Sequence, residues 1–306
     1  MTAMEAETPK PYDAADYAGY DVRPDVLNYD DVAQAIPALK GHRRIVRALL
    51  HLLRVDKVNA WHGACADTPG PEFVRRLLAE QLDVKVEVDD PGHVLDNLPA
   101  GAFITVSNHP YGALDGIILI YLITRRRPEF RVMVNMILNH ISAMRPNFIA
   151  VDPSESSDPA KRAVSVAGIR QVLTLLKSGS PVGFFPAGAM SKTTRHDGLQ
   201  DRPWQSVVLN LIRRARVPVI PVYFHGGNST ICNIMGHVCW PLRSLMLPAE
   251  VDKKRHSTIR VSIGAPISPE AQAAHNGSAE ELGTFLRART YALRNGAAAG
   301  NDGSNA

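Results

Sequence analysis

Cysteine is scarce in this chain of 306 residues, which contains only Cys65, Cys232 and Cys239. Their spacing matches neither a disulfide framework nor a metal-ligand motif, and this indicates a reducing compartment. Aromatic residues make up 6% of the sequence and are not interleaved with basic residues. This composition argues against a protein that binds nucleic acid by stacking bases.

Long apolar runs and nucleotide-binding motifs are also missing. No stretch reaches the roughly 18 apolar residues that a membrane-spanning helix needs, and the first 30 residues are too polar and acidic for a signal peptide. There is no Gly-x-Ser-x-Gly, no phosphate-binding loop and no Gly-x-Gly-x-x-Gly after a strand. The sequence therefore argues against a serine hydrolase and against a nucleotide-dependent enzyme. The histidines are too scattered to indicate a metal site.

What the sequence does contain is an alternation of short apolar runs and amphipathic segments, which predicts an α/β fold. We expect a mixed, largely parallel central sheet flanked by helices, together with an N-terminal helical segment. Strands are predicted at 84–88, 103–106, 131–135, 148–151, 182–185, 217–224 and 259–263. Helices are predicted at 42–55, 72–82, 117–124, 159–178 and 205–216, and from 279 onward. Pro218 and Pro221 suggest that their strand lies at an edge or is locally irregular.

Composition divides the chain into five segments. Residues 1–36 form a polar N-terminal arm that we expect to be loosely ordered, and residues 37–90 form the N-terminal helical segment. Residues 91–275 form the α/β domain that carries the candidate site, and residues 276–295 form a C-terminal helix. Residues 296–306 are rich in Gly, Ala and Asn and are predicted to be a disordered tail.

The predicted helix at 42–55 is amphipathic. Ile45, Leu49, Leu52 and Leu53 share one face, and the arginines of the segment lie elsewhere. Such a helix either lies on a membrane surface with its apolar face among acyl chains, or packs on its own domain, which is the commoner arrangement. The sequence alone leaves both arrangements open.

The most informative segment is residues 107–116, which connects an apolar strand to an apolar helix. It places His109 and Asp115 at the carboxyl end of a strand, where open α/β sheets carry their chemistry. Six positions on one helix correspond to about 240° of net rotation, so the two side chains meet only if His109 lies in a loop that folds back. Pro110 and Gly112 permit such a loop. The pair is either a general base with its orienting carboxylate, or a loop histidine beside a helix-capping aspartate.

The segment 107–116 resembles the His/Asp block of the glycerolipid (lysophospholipid-type) acyltransferase superfamily, although five residues instead of the usual four separate His109 from Asp115. Further blocks of that superfamily follow in order: Phe-Ile-Ala-Val-Asp-Pro at 148–153, Gly-Phe-Phe-Pro-Ala-Gly-Ala-Met-Ser at 183–191, Val-Pro-Val-Ile-Pro-Val at 217–222 and Gly-Gly-Asn-Ser at 226–229. The set is most similar to a hemolysin-like bacterial branch that includes acyltransferases making ornithine and glycine lipids. The resemblance covers about residues 90–270.

The third block of this chain, residues 183–191, departs from the corresponding block of the glycerol-phosphate acyltransferases, which carry Phe-Pro-Glu-Gly-Thr-Arg. Here Ala187 replaces the Glu, and the Arg is absent. That Arg is the natural clamp for a phosphate, because its planar guanidinium binds two oxygens at once. Its loss argues against a lysophosphatidate acceptor. Lys192 or Arg195 either supplies a positive charge instead or is a solvated loop residue.

The resemblance implies a role for each candidate residue. His109 takes the proton from the hydroxyl of a lyso-lipid, and Asp115 orients the imidazole, so that the oxygen attacks the acyl group without a covalent enzyme intermediate. Backbone groups of 185–188 are expected to stabilise the oxyanion. The expected substrate-binding residues are Asn108, Gly112, Phe185, Pro186, Ala187, Gly188, Ser191 and Lys192. Of these, Asn108 is expected to brace the turn, and Ser191 and Lys192 to contact the headgroup or the donor.

The function implied by the resemblance is transfer of a fatty acyl group from an acyl thioester to the hydroxyl of a lyso-aminolipid. Acyl carrier protein or coenzyme A would carry the acyl group, and no bound cofactor or metal is expected. The alternatives are a lysophospholipid acyltransferase and a non-catalytic peripheral lipid-binding protein. The net charge of +4 and the pI near 9.0 are compatible with an anionic membrane surface. We expect a cytoplasmic protein that is peripheral on the inner face of the cytoplasmic membrane.

Overall fold

The structure is a computed structural model that describes residues 13–152, 158–194, 198–233, 243 and 245–295. The predicted tail at 296–306, the first part of the N-terminal arm, Arg195 and Cys239 lie outside these residues.

The strands form one large sheet and a small hairpin. They are β1 (Lys85–Asp89), β2 (Ile104–Ser107), β3 (Arg131–Asn135), β4 (Phe148–Val151), β5 (Val182–Phe184), β6 (Lys192–Thr194), β7 (Gly198–Gln200), β8 (Val219–Phe224) and β9 (Thr258–Ile263). The large sheet has seven strands in the order β1-β9-β8-β2-β5-β3-β4, and β6 pairs with β7. Every neighbouring pair in the large sheet is parallel except β8 with β9. The predicted mixed, largely parallel sheet is confirmed.

Helices cover both faces of this sheet. They are α1 (Tyr29–Ala35), α2 (Arg43–Leu52), α3 (Val55–Cys65), α4 (Pro71–Arg76), α5 (Ala113–Thr124), α6 (Pro159–Lys177), α7 (Ser206–Ala215), α8 (Leu247–Lys253), α9 (Pro269–Ala273) and α10 (Ala279–Ala292). A π-helical stretch, Leu77–Leu82, continues α4. No helix in the described part of the chain is both long and apolar enough to cross a bilayer.

The hydrophobic core consists of two clusters, one on each face of the sheet. One cluster packs α4 and α5 against the strands and includes Phe73 and Ile118. The other packs α6, α7 and α10 against the opposite face and includes Leu209 and Leu286. Because strands in such a sheet are buried on both sides, they appear in the sequence as continuous apolar runs.

The position of β8 corrects the expectation that its prolines place it at an edge. β8 lies between β9 and β2, and all its residues are buried. Its pairing with β9 starts only at Val222, and the Pro221 carbonyl just before it accepts the Gly264 N–H at 2.9 Å. Proline has no N–H to donate, so a break in the ladder accommodates it within a central strand.

Residues 13–36 make specific polar contacts among themselves and with the rest of the chain, and the expected loose order of the arm stays a prediction. The Arg23 guanidinium pairs with the Asp31 carboxylate at 2.6 Å, and the Arg23 N–H donates to Ser142 Oγ at 2.9 Å. The Asn59 amide of α3 accepts two N–H groups of the same segment. These polar contacts join distant parts of the sequence, and composition alone gives no sign of them.

His62 in α3 also joins two segments. The side chain is buried, with Nδ1 3.1 Å from the Pro24 carbonyl oxygen and Nε2 accepting the Ala143 N–H at 3.3 Å. Because a carbonyl only accepts and an N–H only donates, the ring is neutral, with its proton on Nδ1. Burial lowers the pKa of His62. Protonation of Nε2 would remove the acceptor that Ala143 uses.

Acidification is therefore expected to destabilise the protein through His62. Unfolded histidine has a pKa of about 6.5, and the folded value is lower, so the unfolded state binds more protons between these values. The free energy of unfolding should fall as pH drops from about 6.5 through the folded pKa. Urea denaturation as a function of pH measures this slope. His62→Gln keeps a donor and an acceptor without titrating and should flatten the slope. Equal slopes for the wild type and His62→Gln would contradict the assignment.

Candidate active site

The turn after β2 is fixed to the neighbouring strand β8 by Asn108. The buried Asn108 side chain donates its Nδ2–H to the Phe224 carbonyl at 2.9 Å and accepts the Phe224 N–H at 2.7 Å. Phe224 is the last residue of β8, so these two hydrogen bonds join the carboxyl ends of two parallel strands. The next residue, His109, therefore lies at the carboxyl edge of the sheet. The expectation that Asn108 braces the turn agrees with this geometry.

His109 and Asp115 meet as the loop geometry predicts, with Nδ1 of His109 2.9 Å from Oδ2 of Asp115. Asp115 is the third residue of α5 and is fully buried. Its Oδ2 also accepts the N–H groups of Tyr111 and Gly112, at 2.9 and 2.8 Å. The carboxylate thus caps its own helix and also contacts the imidazole, and the role of His109 as a general base stays a prediction.

The contact between the two side chains is short but not aligned. Nδ1 of His109 is buried and lacks a well-directed hydrogen bond, so Oδ2 of Asp115 lies away from the axis of the ring N–H. Burial raises the pKa of Asp115, while the imidazole and the two backbone N–H groups oppose that rise. Catalytic hydrogen bonds are often loose in an empty site and become aligned when substrate binds.

The imidazole ring lies against Phe185, the residue that follows β5. The two ring centroids are 4.3 Å apart, and the ring planes are inclined by 30°. The His109 side chain keeps 19% of its surface exposed, and its Nε2 has no hydrogen-bond partner among the described residues. The structure therefore leaves Nε2 open to a substrate while Asp115 and Phe185 hold the rest of the ring.

A second buried carboxylate, Asp201, supports the backbone of His109. Asp201 Oδ1 accepts the His109 N–H at 3.2 Å and the Ser191 hydroxyl at 2.6 Å, and Oδ2 accepts the Trp204 indole N–H at 3.3 Å. The Asp201 N–H in turn donates to the hydroxyl of Tyr291 in α10 at 2.8 Å. Burial raises the pKa of Asp201. Sequence reasoning missed this residue because no local spacing connects it to His109.

The third block forms a tight turn, and some of its backbone groups are already engaged in hydrogen bonds. Pro186 has no N–H, and the Gly188 N–H donates to the Phe185 carbonyl at 2.9 Å. The Pro186 carbonyl accepts the Gln205 N–H at 2.8 Å. Of the predicted oxyanion donors, the N–H groups of Phe185 and Ala187 are the ones without a backbone partner among the described residues.

Ser191 and Lys192, the predicted headgroup contacts, lie in different surroundings. Ser191 is buried, its N–H donates to the His109 carbonyl at 2.8 Å, and its hydroxyl donates to Asp201. Lys192 opens β6 and is partly exposed, and burial lowers its pKa. The structure thus ties Ser191 to the backbone of the histidine and leaves Lys192 available to a ligand.

The loop after β8 closes the other side of the turn. The Tyr111 hydroxyl donates to the His225 carbonyl at 2.6 Å, and the Asn228 amide donates to the Tyr111 carbonyl at 3.1 Å. Burial, helped by the charge of Asp115, raises the pKa of Tyr111 to about 12. No group of three His, Cys, Asp or Glu side chains in the described ranges is placed to hold a metal ion.

Gly112 has no room for a side chain. Its φ is +78°, and a Cβ at this position would lie 2.7 Å from Met190 Sδ and 2.9 Å from Leu247 Cδ2. The Gly112 N–H also holds Asp115, so a shift of this residue would disturb the carboxylate. Glycine at this position thus has a steric reason, and the predicted contact of Gly112 with substrate stays a prediction.

Gly112→Ala is expected to lower the free energy of unfolding by about 2–4 kcal/mol, from overpacking added to a strained φ. Gly179→Ala is a matched control, because Gly179 also has a positive φ, +86°, but has no atom within 4 Å of the added Cβ. The Gly179→Ala variant should lower the free energy of unfolding by about 1–2 kcal/mol, as measured by chemical denaturation, and should leave kcat unchanged. Equal effects of the two substitutions on stability and on kcat would show that crowding at Gly112 is unimportant.

Residues 44–300 match the family model described as acyltransferase. Two curated relatives are lyso-glycine lipid O-acyltransferases, from Bacteroides thetaiotaomicron and Phocaeicola vulgatus, and each is 28% identical to this chain. The alignments cover 73% and 74% of this chain and 80% and 79% of the two relatives. Among solved structures, a 1-acyl-sn-glycerophosphate acyltransferase from Thermotoga maritima aligns over 73% of this chain and 76% of that chain, with a TM-score of 0.46 and 19% identity.

Proposed function

Since this chain belongs to the acyltransferase family, we propose that it moves a fatty acyl group from an acyl thioester to the hydroxyl of a lyso-aminolipid. The observation that carries the proposal is the contact of 2.9 Å between His109 Nδ1 and the buried Asp115 carboxylate at the carboxyl edge of the sheet. A purely lipid-binding protein has no need of this pair, whereas deprotonation of an acceptor hydroxyl requires such a base.

The proposed mechanism is direct transfer. His109 Nε2 takes the hydroxyl proton of the acceptor as the oxygen attacks the thioester carbonyl, and Asp115 stabilises the resulting imidazolium. The carbon–sulfur bond then breaks, and the imidazolium returns its proton to the departing thiolate. The N–H groups of Phe185 and Ala187 are the proposed donors to the oxyanion, since neither has a backbone partner among the described residues.

Two observations support an aminolipid acceptor. The third block lacks the Arg that would clamp a phosphate and has Ala187 in place of the Glu of the glycerol-phosphate members. The two curated relatives are named for a lyso-glycine lipid. We propose acyl carrier protein or coenzyme A as the carrier of the acyl group.

The direct test is acyl transfer by the purified protein from labelled acyl thioester to lyso-glycine lipid, lyso-ornithine lipid and lysophosphatidate. The thioester is supplied once on coenzyme A and once on acyl carrier protein. Transfer to an aminolipid with kcat/KM at least about tenfold above that for lysophosphatidate supports the proposal. Transfer only to lysophosphatidate would overturn the proposed acceptor, and no transfer to any acceptor would overturn the enzyme proposal.

Helix α2 is the proposed contact with the membrane surface. Val46 is buried, but Ile45 and Leu52 on the predicted apolar face are 55% and 76% exposed. Arg44 and Arg47 are exposed on the same helix. An exposed apolar stripe beside basic residues is typical of a helix that lies in the interface of an anionic bilayer.

Replacing both Ile45 and Leu52 by Ser is expected to weaken binding to phosphatidylglycerol vesicles by at least about tenfold. The reason is that the variant loses the two apolar side chains that would enter the bilayer interface. Vesicle co-sedimentation measures the effect, and phosphatidylcholine vesicles should bind the wild type more weakly. Val166→Ser is the matched control, since Val166 is 46% exposed but lies on α6. Unchanged binding of the double variant would remove α2 from the membrane contact.

A further inference from the structure

A cluster of positive charges adjoins the catalytic turn. Arg243 is almost fully buried, and its Nη2 donates to the Ser191 carbonyl at 2.7 Å and to Asn233 Oδ1 at 3.0 Å. Its Nη1 donates to the Met190 carbonyl at 3.2 Å. The guanidinium therefore contacts the backbone carbonyl of the residue that precedes Lys192 in the chain.

Arg202 lies on the same side of the hairpin. Lys192 pairs with Gln200 across the two strands β6 and β7, and Arg202 comes two residues after Gln200. The guanidinium groups of Arg202 and Arg243 both act on the Lys192 ammonium and, after burial, are the causes that lower the pKa of Lys192. The three side chains thus form one group of neighbouring cations.

This group of cations lacks matching negative charge. Within the described ranges, no carboxylate lies at ion-pair distance from Lys192, Arg202 or Arg243. The nearby carboxylate of Asp201 already accepts hydrogen bonds from three donors. The Nε atoms of Arg202 and Arg243 are buried and have no hydrogen-bond partner among the residues that the structure describes. Arg243 is buried without a counter-charge, and Lys192 and Arg202 are only half-buried, so an anion that reaches these two side chains would balance the charge of the group.

We propose that Lys192 and Arg202, together with the buried charge of Arg243 on the neighbouring backbone, form an anion subsite in which Lys192 and Arg202 bind the carboxylate of the acceptor headgroup beside His109. The proposal rests on the proposed acyl transfer to a lyso-aminolipid. A glycine attached through its nitrogen keeps a free carboxylate, and arginine and lysine donors suit that group. The Ser191 N–H donates to the His109 carbonyl, so the subsite is joined through one residue to the base that must reach the acceptor hydroxyl.

The test compares two acceptors and two donors. The acceptors are a short, soluble N-(hydroxyacyl)glycine and its methyl ester, which lacks the negative charge. The donors are an acyl-coenzyme A and an acyl-N-acetylcysteamine, which has no phosphate. The double variant Lys192→Gln/Arg202→Gln removes two cations of the subsite, and Arg213→Gln/Arg214→Gln removes the same charge from the last turn of α7.

The wild type should have a KM for the acid at least about tenfold below that for the ester, since a charged hydrogen bond is worth about that factor. The subsite variant should lose this preference with either donor, and the α7 variant should keep it. A second readout does not depend on turnover, because the acid should raise the Tm of the wild type and not that of the subsite variant.

The possible results separate this proposal from the acyltransfer proposal. If the wild type transfers acyl groups and the subsite variant keeps its preference for the acid, the subsite is wrong. If only the KM for acyl-coenzyme A rises, the cations bind a donor phosphate and the headgroup assignment is overturned. If the wild type transfers to neither acceptor but its Tm rises with the acid alone, the acyltransfer proposal fails while the anion subsite stands.

Discussion

His109→Ala is expected to lower kcat for acyl transfer by at least about a thousandfold, because no other group can take the acceptor proton at the same position. Asp115 and Tyr111 are buried beside the ring, and their bonds hold the turn and not a substrate. The measurement is single-turnover acyl transfer with saturating donor and acceptor. Because the His109 ring is partly exposed, its removal should change the free energy of unfolding only slightly, in contrast to its large effect on kcat.

Asp115→Asn distinguishes the orienting role from the capping role. The amide keeps an oxygen that can accept the N–H groups of Tyr111 and Gly112, but it cannot balance an imidazolium. This variant should therefore lose activity while its stability stays near that of the wild type. His256→Ala, at an exposed pair with Asp83, serves as the control and should leave activity unchanged. A folded His109→Ala variant with more than about a tenth of wild-type kcat would refute the assigned base.

Asp201→Ala should cause the largest combined loss of stability and activity. Three buried donors lose their acceptor at once, namely the His109 N–H, the Ser191 hydroxyl and the Trp204 indole. At about 1–3 kcal/mol for each unsatisfied group, the free energy of unfolding should fall by roughly 3–5 kcal/mol. A displacement of about 1 Å at the His109 backbone should lower kcat roughly a hundredfold. Chemical denaturation and steady-state kinetics measure the two effects.

Two further variants make this prediction specific. Asp201→Asn keeps an oxygen acceptor for His109 and should restore part of the activity that Asp201→Ala loses. Asp252→Ala removes a carboxylate that pairs with Lys57 and accepts no hydrogen bond from His109, Ser191 or Trp204, and it should cost less than about 1 kcal/mol. If Asp201→Ala lowers stability but leaves kcat intact, Asp201 does not position the histidine.

The contact between His109 and Asp115 could be predicted from the sequence because all its determinants are local. The apolar strand, the loop with Pro110 and Gly112, and the carboxylate at the third position of a helix all lie in one short segment, residues 103–115. Helix starts were predictable for the same reason, since Asp158 and Ser278 each cap the segment that follows them. Short-range rules of this kind require no knowledge of the fold.

The supports of the pair could not be predicted in this way. Asp201 reaches the His109 backbone across 92 positions, and Arg243 reaches Ser191 across 52. The strand β8 shows the same limit, because its prolines argue for an edge and only the gap in its pairing with β9 explains a central position. Propensity describes the local conformation that a residue prefers. The positions of Asp201, Arg243 and β8 depend instead on contacts with residues that are distant in the sequence.

The order of strands in the sheet also sets when this site can exist during synthesis. The strand that delivers His109 has β8 and β5 as its neighbours, and both are translated after it. Asp201 comes later than β5, and its N–H is held by Tyr291 in the last long helix. A ribosome that has made the first half of the chain has thus produced His109 and Asp115 without the neighbouring strands β5 and β8 and without Asp201. Activity should appear only when translation is nearly complete, and chains cut short before α10 should be inert even though they carry both His109 and Asp115.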